Sequence, residues 1–134
     1  MKINKFEDIK AWQEARIFVR SIYDCSNRNR EFSRDLRFKS QVTSSATSIM
    51  SNIAEGFSRR SNKEFIQFLF IAKGSIAESQ SQLYTSLDLK YISQEEFESF
   101  YRQLDKIARL ISKFISYLRG TRQTQQTQRT QRTQ

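Results

Sequence analysis

Apolar residues recur along this chain at helical spacing, in four blocks separated by polar breaks. In the first block Ile9, Trp12, Ala15, Val19, Ile22 and Tyr23 share one stripe at steps of three and four. They predict a helix from about Asp8 to about Asn27, after a short extended lead, with Glu7 and Asp8 at the end where the helix dipole favours negative charge. The segment from Ser26 to Arg34 is polar and rich in turn formers and reads as a loop, with Phe32 turned back onto the folded body. A second helix, from about Asp35 to Gly56, carries Val42, Ala46, Ile49 and Ile53 on its core stripe. A third runs from about Asn62 to about Leu89, roughly eight turns. Lys90 and Tyr91 form a turn, and a fourth helix holds Phe97, Phe100, Tyr101, Leu104, Ala108, Ile111, Ile115 and Leu118 in a heptad-like stripe up to Gly120, placed as a left-handed C-cap. Ser61 with Glu64, and Ser93 with Glu96, are spaced as capping boxes that open the third and fourth helices. Four helices on short connections predict an all-α, antiparallel up-down-up-down four-helix bundle over residues 1–120.

Two helices carry more than a core stripe. The second has six Ser or Thr between Thr43 and Ser51, with Ser44, Ser48, Ser51 and Glu55 opposite the core and Asn52 beside them. Serine is a mediocre helix former because it competes for backbone hydrogen bonds. A second packing surface, with small side chains admitting another helix, is the preferred explanation, and a solvated face is the alternative. The third helix has a tight stripe of Phe65, Leu69, Ala72, Ile76, Leu83 and Leu87, and a displaced one of Ile66, Phe70, Ala77 and Tyr84. A helix apolar on two faces must bury both, which predicts a homo-oligomer. Ser48, Asn52, Glu55, Ile66, Phe70, Ala77 and Tyr84 are the candidate interface residues. Gly74 costs about 1 kcal/mol relative to Ala inside a helix, so a close backbone approach is expected there.

Composition agrees with long helices. The 134 residues include no proline and three glycines, too few turn residues for an all-β fold. The single cysteine, Cys25, allows no intramolecular disulfide and suits a reducing compartment. No apolar run approaches the ~20 residues of a membrane span. The N-terminus is too polar for a signal peptide, so a soluble cytoplasmic protein is expected. Residues 121–134, repeats of Thr, Gln and Arg without an apolar side chain, are expected to be a disordered basic tail. It is either an arm that clings to nucleic acid or a read-through of repetitive DNA.

Candidate chemistry is sparse. The chain has no histidine, which removes most general-base, Ser-His and zinc arrangements. Glu55, Glu64 and Glu78 lack the Glu-x-x-His partners of a di-iron bundle. There is no glycine-rich phosphate loop, and Cys25 has no candidate base. No catalytic residue, metal site or cofactor is expected, and the protein is not expected to be an enzyme. Charge remains. The net charge is +9, of which +4 lies on the four arginines after Leu118. A basic protein of this size favours an anionic partner, RNA or DNA foremost; the alternative is a protein–protein interaction module that binds no nucleic acid, its charge serving solubility. Arg59, Arg60 and Lys63 cluster at the turn before the third helix, near its positive end, and Arg34, Arg37 and Lys39 lie at the start of the second helix, at the opposite end of an antiparallel bundle. Most aromatic residues sit on core stripes, so contact would be to the phosphate backbone and salt-sensitive. For Asn52 and Glu55 a structural role is preferred, with Glu55 paired to Arg59 one turn on.

Four segments together resemble a known family: F-x-D-I-x-x-W-Q-x-A (Phe6 to Ala15), S-I-x-S-N-I-A-E-G (Ser48 to Gly56), R-x-S-x-x-E-F (Arg59 to Phe65) and I-A-x-G-S-x-x-E (Ile71 to Glu78). They are similar to the four-helix-bundle proteins encoded in intervening sequences of bacterial 23S rRNA genes, a family that includes the accessory variability determinants of diversity-generating retroelements. The resemblance spans residues 6 to 118. It implies a bundle that assembles into a pentameric, barrel-like ring without enzymatic activity. In the retroelement branch that ring binds a reverse transcriptase and nucleic acid through basic surfaces. The chain departs from the family pattern in three places. A basic pair and small residue after the glutamine of the second helix are replaced by Q-V-T-S-S-A (Gln41 to Ala46). Met50 stands where proline is usual, and the loop before the second helix has neither proline nor glycine. The first change removes a nucleic-acid contact from mid-helix, and the second predicts a straighter helix.

Overall fold

The computed structural model describes the backbone of residues 2–133 and the side chains of residues 2–121. The chain is all-α, with no strand among the described residues. A short 3-10 helix, Phe6–Asp8, precedes α1 (Lys10–Arg28), α2 (Arg30–Arg34), α3 (Leu36–Phe57), α4 (Asn62–Asp88) and α5 (Gln94–Thr133). Each long helix has two long neighbours: α1 lies against α3 and α5, and α4 against α3 and α5. Contacts run antiparallel along each pair. On α3 and α4, Ser48 meets Ser75 while Ser45 meets Gln82. On α4 and α5, Lys73 meets Ser112 while Gln80 meets Asp105. On α1 and α5, Glu14 meets Lys106 while Cys25 meets Glu96.

The core lies between these four helices and is nearly all aliphatic and aromatic. Ile22, Ile49, Ile53, Leu69, Leu83, Leu104, Ile107 and Ile111 are closed to solvent. The expected stripe of α3 is buried throughout, and so are five of the six residues of the first α4 stripe, with Leu87 packed at its margin. On α1 the stripe is rotated: Phe18 is buried against Phe100, and Tyr23 faces outward. The expected α5 stripe gains Ile107 and Phe114.

Helix ends depart from the sequence reading in four ways. The lead is not extended: the Asp8 carboxylate accepts the N–H groups of Asn4 and Lys5 and closes a 3-10 turn, so α1 starts at Lys10. The polar loop contains α2, capped by the Asn29 side chain, and Phe32 is buried in a stack with Tyr91 at 5.0 Å. The Ser93–Glu96 box forms in both directions, but at α4 only Ser61 acts, accepting the Glu64 N–H. Gly120 is not a left-handed cap, since no glycine has a positive φ and α5 passes through it. The left-handed residue is Lys90, with φ of 60°. There the Tyr91 N–H returns to Ser86 O at 2.8 Å and the Lys90 N–H to Leu87 O at 3.0 Å, satisfying carbonyls that the end of α4 leaves open. The basic tail expected over 121–134 falls on positions whose side chains, Thr121 excepted, lie outside the described residues.

Glycine placement is also corrected. A Cβ on Gly74 would meet nothing within 4 Å, so none of the described residues approaches it closely. The close approach is at Gly56, where a Cβ would lie 2.8 Å from both Phe65 and Phe68. Packing α4 against the end of α3 at the turn leaves no room for a methyl group.

Candidate nucleic-acid interface

The α3–α4 turn is held on both sides. Ser58 Oγ donates to Glu55 O at 2.6 Å, and Arg59 N donates to Gly56 O. Asn62 reaches across to donate to Leu118 O on α5 at 3.2 Å. The three cations expected here are not equivalent. Arg59 pairs with Glu55 at 3.1 Å, and its guanidinium lies 4.7 Å from the centre of the Phe68 ring. The two contacts hold its guanidinium against the end of α3 and the start of α4. Arg60 and Lys63 are exposed.

Beside this turn opens a cleft of about 460 Å³. Lys2, Arg59 and Arg60 supply its charge, and no carboxylate is among the described residues that line it. Its apolar wall is a file of rings from core to surface: Phe65 to Phe114 at 5.3 Å, then Phe114 to Tyr117 at 6.0 Å and 30°. Tyr117 is 43% exposed. Lys2 and Tyr117 were absent from the sequence reading. Lys2 sits in a lead with no periodicity, and Tyr117 lies off the heptad stripe. The available signal was the single-signed charge of the turn; which aromatic residues face it depends on how α5 crosses α4.

Arg34, at the end of α2, and Arg37 and Lys39, at the start of α3, lie about 30 Å away by helix rise. Lys39 is tied to the Asn27 side chain. Asp35, between them, caps α3 and accepts the Tyr91 hydroxyl proton at 2.7 Å, which raises the Tyr91 pKa. The structure therefore separates the cations into two patches.

The candidate interface residues also divide. Ser48 shares a hydrogen bond with Ser75 at 2.9 Å and so ties α3 to α4, and Asn52 donates to Ser48 O and Oγ one turn back on α3, so both are engaged within one chain. Ile66 is buried in the chain's own core. Phe70 and Tyr84 remain 48% and 53% exposed, with Ala77 exposed between them. They form an apolar strip along α4 that also contains Gly74.

Cys25 has an acidic neighbour. Its thiol donates to Glu96 at 3.4 Å, and burial followed by the Glu96 charge pushes its pKa up to about 12. Partial burial works against ionisation of Glu96, but the Ser93 N–H and hydroxyl, the thiol and Arg28 at 3.9 Å hold its carboxyl below the usual value. The thiol is therefore held protonated at neutral pH, and the contact ties the end of α1 to the start of α5. Among the described residues no group of three or more His, Cys, Asp or Glu could hold a metal ion, and no helix is long and apolar enough to cross a membrane.

No curated protein matches this sequence. Among solved structures, the chain is similar to a protein of unknown function from the S23 ribosomal protein family of Bacteroides thetaiotaomicron. The two share 25% identity with a TM-score of 0.72, over 78% of this chain and 97% of the other. Residues 7–113 match the family described as 23S rRNA-intervening sequence protein. That span contains α1 to α4, the first half of α5 and the whole α3–α4 turn, and the chain belongs to the 23S rRNA-intervening sequence protein family.

Proposed function

We propose that this protein is a non-catalytic, homo-oligomeric four-helix bundle that binds nucleic acid, or an enzyme acting on nucleic acid such as a retroelement reverse transcriptase, through its basic surfaces. The observation that carries the binding half is the α3–α4 turn, where Arg60 and Lys63 stand exposed in a chain of net charge +9. Cations beside the first turn of a long helix favour phosphate, because the backbone N–H groups there point outward. The assembly half rests on the Phe70, Ala77 and Tyr84 strip, whose two rings stay about half exposed among the described residues. Copies arranged as a pentameric ring, the assembly implied by the resemblance, would cover it.

The test is salt-dependent binding of RNA and DNA, read together with light scattering. Affinity is expected to fall steeply with salt, and Arg60→Ala with Lys63→Ala to reduce the log–log slope by about one per cation removed. Arg59 is left intact because its pairing with Glu55 holds the turn. Absence of binding at low salt would sink the nucleic-acid reading, and a monomer in light scattering would sink the assembly.

A further inference from the structure

We infer that the cleft beside the α3–α4 turn is a site for a single phosphorylated nucleotide, with its phosphate among Arg60, Lys2 and the first turn of α4 and its base on the exposed ring of Tyr117. This rests on and deepens the nucleic-acid reading, because it replaces diffuse backbone contact by a bounded site. Three observations support it. The volume of about 460 Å³ falls within the range of small-ligand sites. The charge lining the cleft is of one sign, so an anion enters without meeting a carboxylate. The Phe65–Phe114–Tyr117 file delivers a flat ring, backed by packed rings, to the mouth of the same cleft. A base has a π-face that such a ring can take whatever its identity.

The walls are also held in place before a ligand arrives. Asn62 is fixed to Leu118 O, and Arg59 is fixed by Glu55 and Phe68. Arg60 and Lys2 line the same cleft and add positive charge to that of Arg59. Stacking supplies affinity that does not vanish with salt, whereas the phosphate contacts supply the part that does. Such a site takes either a free nucleotide or the phosphorylated end of a single strand, which present the same chemistry.

The experiment titrates the full chain with adenosine monophosphate, with inorganic phosphate, and with a single-stranded oligonucleotide with and without a 5′-phosphate. The monophosphate is expected to bind more tightly than inorganic phosphate. Tyr117→Ala and Arg60→Ala are each expected to weaken it by about tenfold. Arg102→Ala, on the exposed surface of α5 away from the cleft, is expected to leave monophosphate binding unchanged. Tyr117 is half outside the core, and circular dichroism of its variant checks the fold. A strand end is the source if the 5′-phosphate strengthens oligonucleotide binding and the monophosphate competes with it. A free nucleotide is the source if the monophosphate binds without competing. Monophosphate binding no tighter than inorganic phosphate, or unchanged by Tyr117→Ala, overturns the site. In that case salt-dependent oligonucleotide binding would leave the broader reading standing. Conversely, monophosphate binding lost in Tyr117→Ala, with no oligonucleotide bound at low salt, supports the site and removes the broader reading.

Discussion

At the scale of single residues, the α3–α4 turn depends on one missing methyl group. Gly56 is buried, and the atoms nearest a hypothetical Cβ are the Phe65 ring and the Phe68 Cβ, both at 2.8 Å. The Phe65 ring is itself wedged against Phe57 and Phe114, so it has little freedom to retreat. Gly56→Ala should therefore destabilise the protein by about 1–3 kcal/mol despite alanine's better helix propensity, as an overpacked contact does. Urea denaturation measures this, and a neutral or stabilising result would show that α4 can move away. The sequence placed Gly56 at the end of a helix but could not identify it as a packing residue. Its significance comes from residues on the next helix, whose distance no local pattern records. Gly74 shows the converse: its position in mid-helix suggested a close neighbour, and the space beside it is open among the described residues.

At the scale of helices, periodicity located the elements and capping chemistry located the starts of α4 and α5. Asp35, Ser61 and Ser93 each accept a backbone N–H at the start of a helix, at positions readable from sequence. Helix ends were less legible. Gly120 matched the usual residue type for a left-handed cap, yet that conformation belongs to Lys90. The α4 end is decided by where Tyr91 is drawn, by its stack on Phe32 and its bond to Asp35, and these lie far away in sequence. Lys90 takes the left-handed conformation to satisfy that tertiary demand. Replacing it by glycine should stabilise the protein by about 0.5–1 kcal/mol, because a side chain costs about that much more in this region. A melting temperature unchanged or lowered in Lys90→Gly would contradict this account.

At the scale of the whole molecule, the Cys25–Glu96 contact links the end of α1 to the start of α5 and makes stability depend on pH. The thiol's folded pKa of about 12 lies above its ordinary 9.0. Its contribution is therefore fully present below about pH 9 and lost as pH rises toward 12, because the unfolded chain gives up the proton first. Glu96 acts in the opposite sense. Its folded value is lowered, so its contribution is present above the ordinary carboxylate range and lost as pH falls through the folded value. The melting temperature of the wild-type chain relative to Cys25→Ala should decline between about pH 8 and about pH 11. A constant difference would mean that the thiol is not sequestered.

By itself the sequence determined the all-α class, the four long helices and most of the core, because a 3.6-residue period and a cap are local properties of the chain. It also marked Arg59, Arg60 and Lys63 as neighbours, since they are adjacent in sequence. The pairing of Arg59 with Glu55 one turn away was legible too, whereas only the tertiary structure decided that Arg59 lies over Phe68, and that Ile66 is buried while Phe70 and Tyr84 remain exposed. It alone brought Lys2 and Tyr117, from opposite ends of the chain, to the same cleft. These outcomes depend on the rotation of each helix about its own axis and on the depth at which the turn packs. Those quantities are set jointly by side chains on different helices, and no single stretch of sequence contains them.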